Sequence, residues 1–393
     1  MKYRRLRLGV AGLGRGFILM LPTFRQHPGV ELVAAADPRE IARTQFERDF
    51  GGRSYACVED LAADPNVEMI YVATPHQLHR AHVELAAAHG KHVMVEKPMA
   101  LTLDDCAAMI TAAQNAGVAL MVGHSHSFDA PFLKVRDLIE RGTYGRLRMV
   151  TALNFTDFLY RPRRPEELDT AQGGGVIFSQ AAHQVDIVRL IAGGPVESLN
   201  AMTGMLDPAR RTEGAYQAQL RFENGTFASL TYSGYAHFDS DEFCGWVGEL
   251  GQQRDSSEYG TARAGLAKLT SQDAERALKE TRTYGLTPTP ADKAPSHHNH
   301  FGLVIASCEE ADLRPTPQGV MIYANDRREL LPIPAGHVPR AGVIDEMVDV
   351  VIHGQTPTHS GEWGMATLEV CRAILESAAR RETIHLQHQT RLA

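Results

Sequence analysis

The chain has 393 residues, 44% of them hydrophobic and 22% charged, a length that favours two or three domains around ordinary cores. A formal charge of −7 offers no basic surface for nucleic acid, and no stretch approaches the roughly 18 apolar residues of a membrane span. Five scattered cysteines without a CxxC pair fit reduced thiols, and the glycines and Arg15 that break up the N-terminal apolar run argue against a signal peptide. A cytoplasmic protein with no nucleic-acid and no membrane partner is expected.

In chain order, LRLGVA at 6–11 predicts a first strand, followed by the turn GLGRG and an apolar helix, FILMLPTF, that Pro22 should kink or shorten. A second strand, ELVAAAD, spans 31–37, and a helix then runs to Gly51. VEMIYVATP is a third strand, QLHRAHVELAAAHG a helix with a glycine stop, HVMVEKP a strand, LDDCAAMITAAQNAG a helix and VALMVGH a strand. Strict alternation with continuously apolar strands predicts a parallel sheet covered on both faces, over residues 1–125. The texture then changes. APFLKVRDLIERGTYG is an amphipathic helix and LRMVTALNF a strand. GGGVIFSQAAHQVDIVRLIAGG is a helix between glycines, and VESLNAMTG, AYQAQLRFE and GTFASLTYSGYAHF read as strands of an antiparallel or mixed sheet. Residues 252–300 are polar and helix-prone and read as an insertion or flexible loop, and MATLEVCRAILESAARRE is an amphipathic helix. The expected organisation is a doubly wound α/β domain over 1–125 and a second α/β domain over 126–393.

Three stretches carry chemistry. Gly12, Gly14, Arg15 and Gly16 form a turn between a strand and a helix, where backbone N–H groups approach a pyrophosphate. Phe17 stands where the full fingerprint wants a small residue, so the motif is weak by itself. Asp37, about twenty residues on, is placed to bind ribose hydroxyls. It repels a 2′-phosphate and favours NAD, while Arg39 nearby leaves NADP open. The third strand ends on Thr74 and Pro75, with His76 and His79 following, at the edge where open α/β sheets bind ligands. The next strand reaches that edge with Glu96 and Lys97. Pro98 forces the residue before it extended, and the bond between them is a candidate for cis. Lys97 would then point toward a nicotinamide and substrate, with a pKa lowered by desolvation and Glu96 helping to hold it. A surface turn with a solvated lysine is the plain alternative. In the third stretch, Gly173 to Gly175 lead into a helix on which Ser179, His183 and Asp186 share a face. The plain alternative there is an interface histidine satisfied by Asp186. No metal is expected: His79, His82, His89 and His92 lack acids or cysteines at ligand spacing, and His297, His298 and His300 read as a solvated loop.

Taken together in this order, the glycine turn, the acid after the second strand, ATP…H, KHV…EKP and GGG…H..D resemble the glucose–fructose oxidoreductase / inositol dehydrogenase / MocA family over nearly the whole chain. The resemblance implies a Rossmann domain followed by an α/β domain with an open-faced, mostly antiparallel sheet. It implies a nicotinamide cofactor, with Lys97 and His183 as catalytic residues, and, by analogy, a homo-oligomer, dimer or tetramer. Many members carry an aspartate four residues before the histidine, where this chain has Ser179. More narrowly, DFLYRPRRPEELDTAQGGGVIFSQAAHQVDIVRL and TYSGYAHFDSDEFCGW look like the phthalate 4,5-cis-dihydrodiol dehydrogenase branch. That implies oxidation of a carboxylated cis-dihydrodiol to a catechol. Arg161, Arg163 and Arg164 would then bind the small-molecule substrate through its carboxylates, because guanidinium forks match them. A sugar or inositol dehydrogenase is the alternative within the family, and a cofactor-sensing regulator the alternative outside enzymes.

Overall fold

The computed structural model describes residues 4–123, 125–286 and 296–392. His124, the last residue of the predicted strand VALMVGH, and 287–295 of the predicted insertion lie outside the described residues.

The N-terminal part is a six-stranded, all-parallel sheet. Its strands are β1 (Leu6–Ala11), β2 (Val30–Ala36), β3 (Arg53–Tyr55), β4 (Met69–Val72), β5 (His92–Val95) and β6 (Leu120–Val122). They lie in the order β3-β2-β1-β4-β5-β6. Helices α1 (Arg15–Gln26), α2 (Glu40–Phe50), α3 (Val58–Ala63), α4 (His79–Ala88) and α5 (Leu103–Ala116) make the crossovers. The order reverses between β1 and β4, so their carboxyl ends open a crevice there. β3 and α3 escape the sequence reading because three residues at a sheet edge, one exposed and none fully buried, carry no apolar run. Pro22 does not end α1, which continues to Gln26. Phe17, Ile18, Met20, Leu21 and Phe24 are buried along it, and that packing outweighs the lost backbone bond of about 3 kcal/mol.

The second sheet has nine strands. After α6 (Ala130–Glu140) come β7 (Leu147–Phe155), α7 (Ala182–Ala192), β8 (Val196–Gly204), β9 (Ala215–Phe222) and β10 (Phe227–Ser233). Helices α8 (Thr261–Leu266) and α9 (Gln272–Glu280) follow, then β11 (Leu303–Cys308), β12 (Ala311–Thr316), β13 (Gly319–Ala324) and β14 (Arg328–Pro332). The chain closes with α10 (Ala341–His353), α11 (Gly361–Arg380) and β15 (Ile384–His385). The strand order is β14-β13-β12-β11-β7-β10-β9-β8-β15, and only β7 and β10 pair in parallel. One face packs on α6, α7 and α11 in a single apolar core, while alternate residues of β8, β9 and β10 are exposed. The four strands over 303–332 and helix α10 are additional to the elements expected from sequence. Val343, Ile344 and Met347 of α10 return to the first sheet and pack with Leu6, Leu8 and Phe17.

The described residues of this segment, 252–286 and 296–300, are not a flexible loop. Glu275 of α9 is buried, accepts two bonds from Arg210 Nη1 at 2.9 and 3.1 Å, and accepts the Arg163 N–H at 2.7 Å. Tyr284 inserts beside Phe17, with ring centroids 5.0 Å apart, and its hydroxyl donates to Asp49 at 2.6 Å. The segment is therefore pinned on the second sheet at one end and on the first at the other. Polar composition hid this because its few anchors are widely spaced. His300 is likewise buried, with Nε2 2.7 Å from the Val247 carbonyl oxygen, rather than solvated.

Candidate active site

The crevice starts at the glycine turn. Gly12 has φ +93°, and a Cβ there would lie 2.9 Å from the Ala73 carbonyl oxygen, so only glycine lets the ends of β1 and β4 approach this closely. Gly14 caps α1 without a side-chain bond, and nothing lies within 4 Å of a Cβ placed on it. An uncapped helix N-terminus beside open space fits a dinucleotide diphosphate. Asp37 ends β2 beneath this turn. Its Oδ2 accepts the Leu13 N–H at 2.8 Å, and Arg39 donates to both oxygens at 2.9 Å through Nε and Nη2. Arg39 in turn donates to Thr283 Oγ1 at 2.6 Å, so the pinned segment meets the Asp37 end of the crevice.

After β4, Thr74 Oγ1 lies 2.9 Å from His82 Nδ1, and Pro75 leads into a short 3₁₀ turn, His76–Leu78. His76 Nε2 is 2.8 Å from the Gln172 carbonyl oxygen of the second domain. His79 is buried, with Nε2 2.9 Å from the Thr74 carbonyl oxygen and Nδ1 3.1 Å from that of Pro98. Burial pushes its pKa down to about 4, against the carbonyl bonds that favour the cation, and the ring lies between the end of β4 and the turn after β5. His79 thus supports the crevice wall from behind.

Glu96 does not hold Lys97 by a hydrogen bond. It accepts the hydroxyl of buried Tyr71, whose pKa is raised by burial and by that carboxylate. The Lys97–Pro98 peptide is cis. Lys97 Nζ donates to the Ser179 carbonyl oxygen at 2.9 Å, crossing from the first sheet to the second. Burial lowers its pKa, against the opposing charges of Glu96 and Glu249. Ser179 lies in one turn of π-helix, Ile177–Ala181, that precedes α7, and its hydroxyl donates to the Gly175 carbonyl. Such turns disturb the helical bonding ladder and recur at functional sites; here it is the backbone of residue 179 that meets the lysine.

His183 is buried, with Nδ1 3.4 Å from Ser125 Oγ and ring centroids 5.0 Å from His126 and 5.4 Å from Phe301. Asp186 serves other groups: it accepts the Ser127 hydroxyl and the Trp363 indole N–H. His126 and Glu249 were not anticipated. His126 follows β6 at the carboxyl edge of the sheet, a position that could have marked it. Glu249, in an irregular connection after β10, carries no such signal.

The three arginines divide. Arg163 stacks at 3.6 Å on the Phe158 ring and donates to the Phe158 carbonyl oxygen at 2.8 and 3.3 Å. Burial brings its pKa down to about 10. Arg164 sits by Glu166 and Glu167, at 3.2 and 3.6 Å. Among the described residues Arg161 makes one ion pair, with Asp157 at 3.0 Å, and its side chain is 42% exposed. Burial opposes its charge, but Glu249 and Asp157 raise its pKa.

One cleft of about 680 Å³ joins these groups, its wall including Gly14, Arg15, Lys97, Arg161, His183 and Glu249. Gly16, Thr74, Pro75, His76, His79, Glu96, Arg163, Arg164 and Ser179 also line it, whereas Gly12 and Asp37 lie outside its wall. Among the described residues no cluster could hold a metal ion, and no helix is long and apolar enough to cross a membrane.

A dinucleotide turn opening into a cleft with a desolvated lysine and a histidine defines the class of nicotinamide-dependent oxidoreductases. The profile of an oxidoreductase family with an NAD-binding Rossmann fold matches residues 6–124, and that of the GFO/IDH/MocA C-terminal domain matches residues 132–253. The chain belongs to the GFO/IDH/MocA family of NAD-binding oxidoreductases. It is 46% identical over 374 residues, 94% of each chain, to a 1-carboxy-3-chloro-3,4-dihydroxycyclohexa-1,5-diene dehydrogenase of Comamonas testosteroni. It is 33% identical over 193 residues, 48% of this chain and 57% of the relative, to a trans-1,2-dihydrobenzene-1,2-diol dehydrogenase of Macaca fuscata fuscata. A solved structure from Bordetella bronchiseptica RB50 is 39% identical, with a TM-score of 0.92 over 97% of this chain and 100% of its own. An Agrobacterium radiobacter oxidoreductase solved with NAD⁺ shares the fold at 21% identity, with a TM-score of 0.71 over 97% and 98% of the two chains.

Proposed function

We propose that this enzyme oxidises a carboxylated cis-dihydrodiol of a non-aromatic ring to the corresponding catechol, with NAD⁺ as the oxidant. The observation that carries the reading is the convergence of Lys97, His183 and Arg161 on one cleft beside the glycine turn. The Comamonas relative, named for a carboxylated dihydroxy ring, supports the substrate class.

Residues 1–125 would hold the cofactor, with the turn Gly12–Gly16 at its diphosphate and Asp37 at its ribose, and supply Lys97, while the second domain, 126–393, supplies His183 and Arg161. The bound cofactor would supply the oxidant, an acceptor for the hydride of the carbinol carbon. Lys97 receives the hydroxyl proton at Nζ. Burial enlarges its neutral fraction, and the bond to the Ser179 carbonyl keeps the amine aimed across the cleft. His183, packed against Phe301 and His126, positions the same hydroxyl. Arg161 binds the carboxylate. Arg254, Lys279, Arg282 and Thr283 of the segment 254–284 also line the cleft. Oxidation leaves a ring ketone that enolises to the catechol, and the gain of aromaticity means a modest base is enough.

A homo-oligomer built through the open face of the second sheet accords with its exposed Met202, Phe227 and Leu330. The functional test is NADH appearance with a carboxylated dihydrodiol, an uncarboxylated dihydrodiol, myo-inositol and no substrate. Turnover is expected with the first above all. Preference for inositol overturns the reading.

A further inference from the structure

The mechanism above leaves the acids of the cleft wall unused, Glu249 among them. The helix of His183 brings Ser179 rather than an acid to the cleft wall, and the carboxylate there comes from another part of the chain. Glu249 has a side chain 24% exposed and lines the cleft with Lys97, Arg161 and His183. Its Oε1 lies 3.3 Å from His126 Nε2, and His126 Nδ1 lies 2.8 Å from Asp129 Oδ2. A ring between two carboxylates keeps both its protons. Burial works against the cation, yet the bonds to Asp129 and Glu249 raise the His126 pKa to about 9. Although burial would raise the pKa of Glu249, His126, Arg161 and His300 hold it down to about 2. Lys97, Arg340 and Tyr232 feel the same charge.

Glu249 is therefore an anion throughout the working range and too weak a base to accept the reaction's proton. What it offers is lone pairs. Among the described residues nothing donates to Oε2. A vicinal diol brings two hydroxyls into the cleft. One is committed to Lys97, and the other would lose its hydration without a partner, a cost of about 1–3 kcal/mol. A fixed carboxylate is the strongest acceptor available to it.

We propose that Glu249 accepts the hydrogen bond of the second hydroxyl, the one that is not oxidised, and so makes the site selective for vicinal diols over single alcohols. This rests on the dihydrodiol reading above.

The test compares the NAD⁺-supplemented enzyme with its Glu249→Ala and Glu249→Asp variants on two substrates, the carboxylated dihydrodiol and a ring alcohol with the same carboxylate and one hydroxyl. Glu249→Ala is expected to raise KM for the diol roughly 10- to 100-fold more than KM for the single alcohol, since any change passed on through Lys97 or Arg161 falls on both substrates alike. Glu249→Asp is expected to recover part of the diol affinity. Equal losses on both substrates, or no loss on either, overturn the proposal. A second measurement needs only the wild-type protein: binding of a carboxylated catechol against the carboxylated phenol that lacks one hydroxyl. Equal affinities overturn the proposal, while tighter binding of the catechol supports it. A wild type that oxidises neither substrate sinks the functional reading and the role of Glu249 with it. A wild type active on the diol with an indifferent Glu249→Ala variant removes only the latter.

Discussion

Arg161 and Arg163 are two residues apart and chemically identical, yet their replacement should fail in opposite ways. Arg161 makes one ion pair among the described residues and its side chain is 42% exposed, so Arg161→Ala should cost under about 1 kcal/mol of stability, as for exposed pairs. If it binds the substrate carboxylate, the variant loses a charge-assisted bond of about 1.5–3 kcal/mol. That is roughly a ten- to hundredfold fall in kcat/KM for a carboxylated dihydrodiol, with little change for the uncarboxylated ring. Arg163 is the reverse case. Its side chain is 9% exposed, its guanidinium lies 3.6 Å from the Phe158 ring centre, and it makes two bonds to the Phe158 carbonyl oxygen. Arg163→Ala leaves that oxygen with only the Arg161 N–H at 3.3 Å and removes one of the cations beside Glu167, where Lys279 and Arg164 remain, a loss of about 1–3 kcal/mol of stability. The assays are denaturant unfolding and steady-state kinetics on both rings. If Arg163→Ala is as stable as wild type, or Arg161→Ala hits the two rings equally, the division of roles argued here is wrong.

Lys97→Met keeps an unbranched stem but removes the proton acceptor, and kcat should drop by about two to four orders of magnitude with NADH binding retained. Because burial lowers the pKa of Lys97, wild-type kcat/KM should rise with pH through an inflection below the usual lysine value, and the variant should lack that limb. His126 titrates near 9 rather than 6.5, so its ion pairs stabilise the fold by about 3 kcal/mol below pH 6.5. That contribution should vanish as pH rises through about 9; a melting-temperature difference between wild type and His126→Gln that does not shrink over this window contradicts it. Arg39→Ala leaves each Asp37 oxygen with one backbone donor, so that a lone pair of each is open to ribose hydroxyls, and removes a cation that would attract a 2′-phosphate. The ratio of kcat/KM for NAD⁺ over NADP⁺ should rise roughly tenfold, about one charge-assisted bond, and an unchanged ratio would show that Arg39 plays no part in cofactor choice.

The first sheet was legible because each of its longer strands is a continuous apolar run followed by a helix, and the polar residues closing those runs must lie at one edge. That is why Gly12, Asp37, Thr74 and Lys97 could be placed from sequence: their relation to one another follows from strand direction alone. The second domain was legible only in part. Alternation marked β7 to β10, but the four strands over 303–332 share no motif with the site.

What the sequence by itself determined is local: a glycine turn, a lysine aimed by its proline, a histidine on a helix and three arginines in a loop. Only the tertiary structure decided their partners. Lys97 meets the backbone of residue 179 rather than Glu96, because Tyr71 takes Glu96 from beneath. Arg163 becomes a pillar and Arg161 stays half open because Phe158 has room for one stacked guanidinium at 3.6 Å, while the other lies at 5.9 Å. Residues 252–300 read as loose because their anchors, Glu275 and Tyr284, make contacts 65 and 235 residues away in the chain. Local propensity and periodicity extend over a few turns or strands, and the field at Glu249, set by His126, Arg161 and His300 from three other segments, lies beyond their reach.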